Sequence, residues 1–380
     1  MKEIYLDHAA TSPMHPAVIE KMAEVMGDVF GNPSSIHSIG RYARKYLDEA
    51  RFVLSSAIGA KDHEIIFTGG GSEADNLAII GTAHARSAEG RHIITTQIEH
   101  HAVLHTCQQL EKEGFEVTYL PVNDKGMISL DELKNALRDD TILVTVMFGN
   151  NEVGTLQPIK EIGALLKDHQ ASFHTDAVQA FGIQKINVDE LQVDLLSVSS
   201  HKLNGPKGLG FLYQRESAKI QPIIFGGEQE RKRRAGTENV PAVVGFAEAT
   251  KIAQASFTEK QQQFIDFRNT FLKKLDQAEI SYHVNGDETH YLPHVLNISF
   301  TGMDVESFLV NLDIAGIAAS SGSACTAGSI DPSHVLVAMF GKHADELRNS
   351  IRFSFGYGLT LEDIQITADK TIEIVKRLVK

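Results

Sequence analysis

The chain has 380 residues, 42% of them hydrophobic and 22% charged, which is typical of globular proteins and excludes a disordered or collagen-like chain. Its formal net charge of −13 at pH 7 opposes contact with a phosphate backbone, so no direct nucleic-acid binding is expected. The chain reaches an acidic residue within its first few positions, before any apolar stretch. No later apolar run reaches the ~18 residues that a membrane span requires. We therefore expect a soluble cytoplasmic protein that makes no membrane contact.

Strand-like apolar runs alternate with amphipathic helical patterns through the first half of the chain. The first clear helix is predicted over residues 40–59, where apolar side chains recur on one face and Gly59 supplies a stop. Such alternation is typical of an α/β fold with a mostly parallel sheet flanked by helices. The predicted strands are 64–67, 91–96, 115–120, 142–148, 172–176 and 195–200.

The pattern changes in the last third of the chain. A long helical stretch is predicted from Val240 to about Gln277, followed by shorter strands at 280–285 and 295–300. An amphipathic helix is predicted over 360–380. We place a change of domain within the long helix.

A glycine-rich segment, TGGGSE at 68–73, follows the first predicted strand and precedes a helical stretch at 74–85. Glycines allow a ligand to approach the backbone closely, and a helix N-terminus favours a phosphate, to which the Ser72 hydroxyl adds a donor. The spacing is that of neither a Walker A nor a dinucleotide motif, and a glycine-rich turn without a ligand stays an alternative. The segment suggests a phosphate site without naming the molecule.

Histidines follow the next strand, in EHH at 99–101. His100, at the strand end, is placed to lie over a planar ring, with a solvent-facing turn histidine as the alternative. His101 and His105 are four residues apart and could bind zinc from one helix face, but no glutamate or cysteine accompanies them at ligand spacing. A metal site is therefore not expected.

Two further strands end in polar residues, NNE at 150–152 and HTDAVQ at 174–179. An aspartate that ends a buried strand is costly unless a cation or a hydrogen-bond donor meets it. A protonated pyridine nitrogen would meet Asp176 in this way, whereas a helix N-cap is the structural alternative and leaves Gln179 unexplained.

Lys202 ends another apolar strand, beside Ser199, Ser200 and His201, and a Gly-Pro turn follows it. Most lysines are solvated, but a lysine held in such surroundings can lose its proton and form a Schiff base. A lysine, an aspartate for the pyridine nitrogen and phosphate donors are the partners that pyridoxal 5′-phosphate (PLP) requires. The sequence therefore indicates a PLP site.

Several motifs together resemble the NifS/IscS-type cysteine desulfurases, which are fold-type I PLP enzymes of the class V aminotransferase family. The resemblance covers nearly the whole chain. It implies a homodimer whose large PLP-binding domain spans 15–258 and whose smaller α+β domain combines 1–14 with 259–380. The motifs are YLDHAAT at 5–11, GNPSS at 31–35, NNEVG at 150–154, SSHK at 199–202, RAGTEN at 234–239 and SGSACT at 321–326.

The resemblance also implies a role for each site residue. It makes Lys202 the lysine that carries the cofactor, Asp176 the partner of the pyridine nitrogen and His100 the residue stacked on the ring. Gln179 would bond the phenolic oxygen, Asn151 would lie close to cofactor and substrate, and Arg352 would pair with the substrate carboxylate. The phosphate would be held by Gly71, Ser72, Ser199 and His201, together with Thr237 from the other subunit.

Three positions depart from the family pattern. Ser72 stands where threonine is frequent, Gly71 where alanine is frequent, and Asn204 where tyrosine is frequent. Serine keeps the hydroxyl of threonine, so the departure at Asn204 bears on the shape of the pocket. The basic residues at 231–234 are assigned to the dimer interface and the rim of the site.

The two cysteines fit a reducing compartment and receive different predictions. Cys107 shares a helix face with Val103 and Leu110, which predicts a buried core position. Cys325 lies among small residues that favour neither helix nor strand, which predicts a flexible exposed loop. No neighbour in that loop lowers the thiol pKa, so activation is expected inside the pocket, with His100 a candidate.

The resemblance implies a reaction in which L-cysteine becomes L-alanine and its sulfur forms a persulfide on Cys325, while Lys202 moves the Cα proton. Sulfur-acceptor proteins would follow, either an iron–sulfur scaffold or a tRNA 2-thiouridylase. No metal site of its own is expected, and Cys325 as a transient iron–sulfur ligand shared with a scaffold is left open. The alternatives are a selenocysteine lyase or an aminotransferase of the same fold, or a non-catalytic sulfur carrier.

Overall fold

The computed structural model describes residues 3–321 and 332–379. Its strands are β1 (Ile4–Tyr5), β2 (Ile65–Thr68), β3 (His92–Thr96), β4 (Glu116–Leu120), β5 (Thr141–Thr145), β6 (Ser172–Asp176), β7 (Leu195–Ser199), β8 (Gly210–Gln214), β9 (Tyr282–Asn285), β10 (Val295–Phe300), β11 (Ile317–Ala318) and β12 (Ser350–Ser354). Its helices are α1 (Pro16–Asp28), α2 (Ser38–Ser56), α3 (Gly71–Ala85), α4 (His101–Lys112), α5 (Leu130–Ala136), α6 (Ile159–Leu166), α7 (Val240–Ala255), α8 (Phe257–Gln277), α9 (Val305–Ile314), α10 (His334–Phe340), α11 (Glu346–Asn349) and α12 (Leu361–Leu378).

A seven-stranded sheet in the order β2-β8-β7-β6-β5-β3-β4 forms the centre of the molecule. β8 runs antiparallel to both of its neighbours, and the other pairs are parallel. Strands β2, β3, β5, β6, β7 and β8 are buried along their whole length, which explains why they appear in the sequence as apolar runs. The predicted α/β class with a mostly parallel sheet is confirmed.

Helices cover the sheet and complete the hydrophobic core. α3 and α4 pack together over β3 and β5, and between them lies a cluster that contains Ile79, Ile93, Val103, Cys107 and Leu110. Cys107 is fully buried there, as its helical spacing predicts. Burial also raises the pKa of its thiol, so this cysteine is a core residue and a poor nucleophile.

Two small sheets stand apart from the central one. β12, β10 and β9 form an antiparallel sheet, and β1 pairs in parallel with β11. The segment after β1 also reaches β12, since Asp7 forms a bridge with Ser354 and the Ala9 N–H donates to Ser354 Oγ at 2.8 Å. These contacts hold the N-terminal segment beside β12, which lies near the C-terminal end of the chain.

Several element boundaries differ from the sequence prediction, and three of the differences bear on the site or on the division of the chain. The helix predicted over 240–277 is two helices, because Ser256 leaves helical geometry and its Oγ donates to Ile252 O at 2.9 Å. α3 begins at Gly71 and not at residue 74, so the glycine-rich segment itself forms the first turn of the helix. β5 ends at Thr145, although the N–H groups of Val146 and Phe148 still donate to carbonyls of β6.

None of the helices within residues 3–321 and 332–379 combines the length and the apolar composition that crossing a bilayer demands.

Candidate active site

A cavity of about 410 Å³ lies where β2, β5, β6 and β7 end. This is the edge at which parallel α/β sheets bind ligands. Thr237 lies outside the lining of the cavity, and Cys325 lies outside the described residues. The other predicted site residues all line it: Gly71, Ser72, His100, Asn151, Asp176, Gln179, Ser199, His201, Lys202 and Arg352.

Lys202 lies in a short 3₁₀ turn, Ser200–Leu203, directly after β7. Its Nζ donates to Ala9 O at 2.5 Å and to Ala10 O at 2.7 Å. Burial lowers the pKa of Lys202 to about 8, with Arg352 lowering it further and Asp176 opposing the change. Burial thus makes this amine easier to deprotonate than an exposed lysine, which favours its use as a nucleophile.

Asp176 ends β6 and is buried, and its Oδ1 accepts the Val178 N–H at 2.8 Å. Desolvation raises the pKa of Asp176 to about 6, and that of the fully buried Asp75 is raised by desolvation and by Asp176. Two carboxyl groups share this wall of the cavity, so a cation or a donor bound there would stabilise them. A protonated pyridine nitrogen fits this requirement.

The N-terminus of α3 forms a second wall. Gly70 has φ +146°, a conformation that favours glycine, and a Cβ placed on Gly71 would lie 2.7 Å from Val178 Cγ2. This close packing sets the first N–H groups of the helix beside the cavity, near Ser72 and Ser199. An N-terminus with adjacent hydroxyls fits a phosphate group.

His201 and His100 are neutral imidazoles on the cavity wall. Burial and Lys202 lower the pKa of each to about 4. His201 Nδ1 lies 3.1 Å from Thr11 Oγ1. His100 is the N-cap of α4, and its Nδ1 accepts the Ala102 N–H at 3.1 Å, so the proton of the neutral ring is on Nε2.

The histidines considered above as zinc ligands pack against one another. The rings of His101 and His105 stack with their centroids 4.9 Å apart, and His334 lies 4.6 Å from His101 on the other side. Throughout the part of the chain that the structure describes, no group of three or more histidine, cysteine, aspartate or glutamate side chains is arranged to hold a metal ion.

Arg352 enters the cavity from β12 and is almost fully buried. Its Nη1 donates to Asn151 O at 2.9 Å, and its Nη2 donates to Asp7 Oδ1 at 2.7 Å. The carboxylate beside Arg352 is that of Asp7, in the segment after β1. The guanidinium is therefore fixed in place at the cavity wall.

Two buried glutamates near the cavity were not assigned a role from the sequence. Glu99 Oε1 accepts the Thr96 hydroxyl at 2.8 Å and the Met147 N–H at 3.0 Å, and burial raises its pKa to about 8. Glu152 accepts Ser333 Oγ at 2.5 Å, and burial raises its pKa to about 7. The only sequence signal for either is an acidic residue shortly after a buried strand.

The N-terminal segment is the other part of the site that sequence reasoning missed. Ala9 O accepts both Lys202 Nζ and Gln179 Nε2, the latter at 2.9 Å. Asn204 departs from the family pattern, and this departure was expected to affect the shape of the pocket. Asn204 does not line the cavity. It has φ +66°, and its Nδ2 donates to Pro13 O at 2.9 Å, so it holds the same N-terminal segment from outside.

Two residues of the basic run at 231–234 pair with carboxylates, Arg234 with Glu73 and Lys232 with Glu228. Arg234 Nε donates to Glu73 Oε1 at 2.7 Å, and Glu73 Oε2 also accepts the Gly69 N–H at 2.7 Å. Arg234 thus holds the carboxylate that fixes the glycine-rich turn. The buried Glu230 just before the run forms a two-bond pair with Arg51, at 2.7 and 2.8 Å.

Comparison with known proteins places this geometry in a family. The family model described as "Aminotransferase class-V" matches residues 4–366. A protein named "Putative cysteine desulfurase IscS 1" from Bacillus subtilis (strain 168) is 61% identical, over 100% of both chains. "Cysteine desulfurase IscS" from Methanosarcina thermophila is 49% identical over 99% of this chain and 93% of its own length. A solved structure titled "NIFS-LIKE PROTEIN" superposes with a TM-score of 0.92 at 34% identity, covering 99% of this chain and 100% of that one.

Proposed function

The chain belongs to the class-V aminotransferase family and is a PLP-dependent cysteine desulfurase, and from this premise we propose that Lys202 carries the cofactor and Cys325 receives the sulfur. The observation that most directly supports the role of Lys202 is the pKa of its amine. This pKa is lowered to about 8, and the amine belongs to a residue that lines the cavity.

The cavity walls fit PLP group by group. The buried Asp176 and Asp75 suit the pyridine nitrogen, and the N-terminus of α3, with Gly71, Ser72, Ser199 and His201, suits the phosphate. His100 would lie against the ring and Gln179 would bond its phenolic oxygen. When bound, PLP supplies an electron sink that weakens the bonds at the Cα of an amino-acid substrate.

Substrate orientation is assigned to Arg352 and Asn151. The guanidinium of Arg352 has five N–H groups, of which Asn151 O and Asp7 Oδ1 each take one, so others are left for a substrate carboxylate. Lys202, once free of the cofactor, is the base that moves the proton at the substrate Cα. His100, neutral with its proton on Nε2, is the candidate for activating the Cys325 thiol in the pocket, because its Nε2–H could donate to the thiolate and stabilise it.

Sulfur transfer completes the reaction. L-Cysteine and the Cys325 thiol give L-alanine and a persulfide on Cys325, an exchange in which all atoms balance. Cys107, which is buried with a raised pKa, cannot take this role. The persulfide would then pass to an acceptor protein, an iron–sulfur scaffold or a tRNA 2-thiouridylase, in the cytoplasm. A scaffold could share Cys325 as a transient cluster ligand.

A homodimer and a two-domain division belong to the same proposal. Several large apolar side chains are exposed on the isolated chain, among them Phe30 at 81%, Ile36 at 91% and Phe225 at 84%. A second copy covering these side chains would bring Thr237 to the phosphate of the facing site. The central sheet lies within 15–258 and the two smaller sheets within 1–14 and 259–380, which supports that division.

Replacement of Cys325 by serine tests the proposed function. Serine keeps the size and polarity of the side chain but cannot hold a persulfide, so Cys325→Ser should bind cofactor and L-cysteine yet release alanine at least about 10³-fold more slowly. Alanine release is measured alongside persulfide mapping by alkylation and mass spectrometry.

Cys107→Ser is the matched control and should remain active, with a modest loss of stability from a polar atom in the core. If Cys325→Ser released alanine from cysteine at the parent rate, the proposal would give way to a lyase that needs no thiol, the reaction class of a selenocysteine lyase.

A further inference from the structure

His294 is a buried histidine immediately before β10, behind the cavity wall and outside its lining. Its Nε2 lies 3.3 Å from Gln179 Oε1, and its ring lies 6.1 Å from that of Phe264. Gln179 is the cavity residue to which we assign the phenolic oxygen of the cofactor. His294 therefore contacts the reaction site only through another side chain.

The orientation of the Gln179 amide follows from its other neighbour. Ala9 O lies 2.9 Å from the amide and already accepts Lys202 Nζ. A carbonyl oxygen can only accept, so the amide atom that faces it must be Nε2 and the atom that faces His294 must be Oε1. If the amide were reversed, Gln179 Oε1 would face Ala9 O, and these two acceptors would repel each other.

The protonation of His294 follows in turn. Burial lowers its pKa to about 3, and the cationic groups around it, Lys260, His8, Lys202 and Arg352, act in the same direction. The ring is thus neutral and carries a single proton. Gln179 Oε1 can only accept, so that proton is on Nε2. Nδ1 is buried and has no hydrogen-bond partner within the described residues.

We propose that His294 is a positioning residue that fixes the Gln179 amide, so that an N–H and not a carbonyl oxygen is available to the ring oxygen of the bound cofactor. The inference rests on the proposed contact between Gln179 and that oxygen. Gln179 Nε2 has two hydrogens, of which Ala9 O takes one.

The arrangement has a measurable consequence for the cofactor. A hydrogen bond donated to an ionised oxygen stabilises the ionised form and lowers the pH at which the group titrates. Loss of His294 would leave Gln179 Oε1 buried and unpaired, and the amide, held only by Ala9 O, would be free to move away from the ring oxygen. The pH midpoint of the visible absorbance band should rise by about 0.5 to 1 unit, the size expected for one neutral hydrogen bond.

The test uses the full-length holoenzyme and two readouts, the pH midpoint of the visible band and the dissociation constant of PLP from equilibrium dialysis. His294→Phe keeps a planar ring and removes the donor, and His294→Met serves the same purpose if the phenylalanine variant does not fold. His294→Gln keeps a donor near the position of Nε2 and should retain the parent midpoint. Gln179→Leu should shift the midpoint as His294→Phe does.

The double variant decides whether the two residues act together. His294→Phe should add no shift in the Gln179→Leu background, since the contact through which it acts is already lost. A parent-like midpoint for His294→Phe, or additive shifts in the double variant, would overturn the inference while leaving the role of Gln179 intact. A parent-like midpoint for Gln179→Leu would instead overturn the proposed contact with the cofactor.

His92→Phe is the control for loss of a buried histidine. His92 is also buried with a lowered pKa, but it lies at the opposite end of the sheet and bonds Thr141 and Thr118. Its replacement should lower stability and leave the midpoint unchanged. An equal shift in His92→Phe would show that the change reflects general destabilisation, and the assignment of His294 would fail.

Discussion

The two edges of the central sheet differ in how their buried polar groups are bonded. At the amino-terminal edge, Arg86 donates to Ile142 O at 3.0 Å and to Ser172 Oγ at 3.1 Å, and its guanidinium also pairs with Glu89 at 2.7 Å. Both ring nitrogens of the buried His92 bond threonine hydroxyls, at 2.7 and 2.8 Å. The protein itself satisfies these groups.

At the carboxyl edge the protein leaves several such groups unsatisfied. Asp75 Oδ1, Glu99 Oε2 and Arg352 Nε are buried without a hydrogen-bond partner in the part of the chain that the structure describes. The pKa values of Asp176 and Lys202 are shifted towards neutrality at the same edge. Unsatisfied and shifted groups that line a cavity, as Asp75, Asp176, Lys202 and Arg352 do, mark a place where a ligand completes the bonding.

Removal of the lysine should give the largest effect at the carboxyl edge. Lys202→Ala should lower desulfurase activity by at least about 10³-fold and abolish covalent attachment of PLP, because no other amine is proposed at this position. The check is borohydride reduction followed by tryptic mass spectrometry.

Lys207→Ala is the control, since Lys207 is exposed in the turn that follows and should be dispensable. Reduced cofactor found on Lys207 of the parent would contradict the assignment.

Asp176→Asn should raise the dissociation constant of PLP by about 10²- to 10³-fold, because it removes the charged partner of a buried cation. It should also stabilise the chain without cofactor. The pKa of Asp176 is raised from 3.8 to about 6, so the folded chain holds this proton more tightly than the unfolded chain and loses stability as pH rises between those values.

The variant without cofactor should therefore be more stable than the parent by about 1–3 kcal/mol at pH 7 and no more stable below pH 4. Urea unfolding at the two pH values measures the difference. An asparagine variant that binds PLP normally, or that is destabilised at pH 7, would be inconsistent with an unsatisfied carboxylate at this edge.

Arg352→Gln should raise the KM for L-cysteine by about 10- to 100-fold, the range expected when a charged hydrogen-bonding group is lost. Cofactor content should stay near that of the parent. Asp7→Asn, which keeps the guanidinium but removes its 2.7 Å partner, should have a smaller effect on KM. Steady-state kinetics measure both, and an unchanged KM in Arg352→Gln would assign the arginine to structure alone.

The smallest effect on activity is expected at the amino-terminal edge. Arg86→Met should cost about 2–4 kcal/mol of unfolding free energy, because it leaves the buried Ile142 carbonyl unpaired, while kcat/KM of the folded enzyme changes less than about twofold. The exposed Lys219→Met, which also removes a contact with Glu89, should change neither quantity appreciably. A large loss of kcat/KM in folded Arg86→Met would remove the distinction between the two edges.

Local sequence patterns predicted the elements that carry the site. The strand before Lys202, LLSVS at 195–199, was recognisable because a strand buried on both faces is largely apolar until it reaches the polar residues that follow it. The strand over 172–176, SFHTD, also has the predicted bounds, although Phe173 is its one apolar residue and its buried His174 bonds Thr145 and Ser197. The break at Ser256 was not predicted, because helical periodicity continues on both sides of it and only one hydroxyl bond interrupts the helix.

Local sequence patterns could not predict the contacts between segments that are distant in the sequence. Nothing around Ala9 indicates that its carbonyl accepts Lys202 Nζ, 193 positions further on, and nothing near Arg352 indicates Asp7. The resemblance to known enzymes named the ligand-facing side chains, but it did not indicate the backbone carbonyls that orient Lys202, Gln179 and Arg352. Those depend on how the N-terminal segment folds back over the sheet.

The pairing of Asp7 with Arg352, 345 positions apart, also has a consequence for the order of events during synthesis. Ribosomes add roughly 5–20 residues per second, so the N-terminal segment waits on the order of 20–70 s before β12 exists to hold it. The central sheet can form in that interval, but Ala9 then lacks the bond from its N–H to Ser354 that helps fix its carbonyl beside Lys202. Chains released early through truncated messages would therefore contain the N-terminal segment without β12 to hold it, and we expect them to capture PLP less well than the full chain.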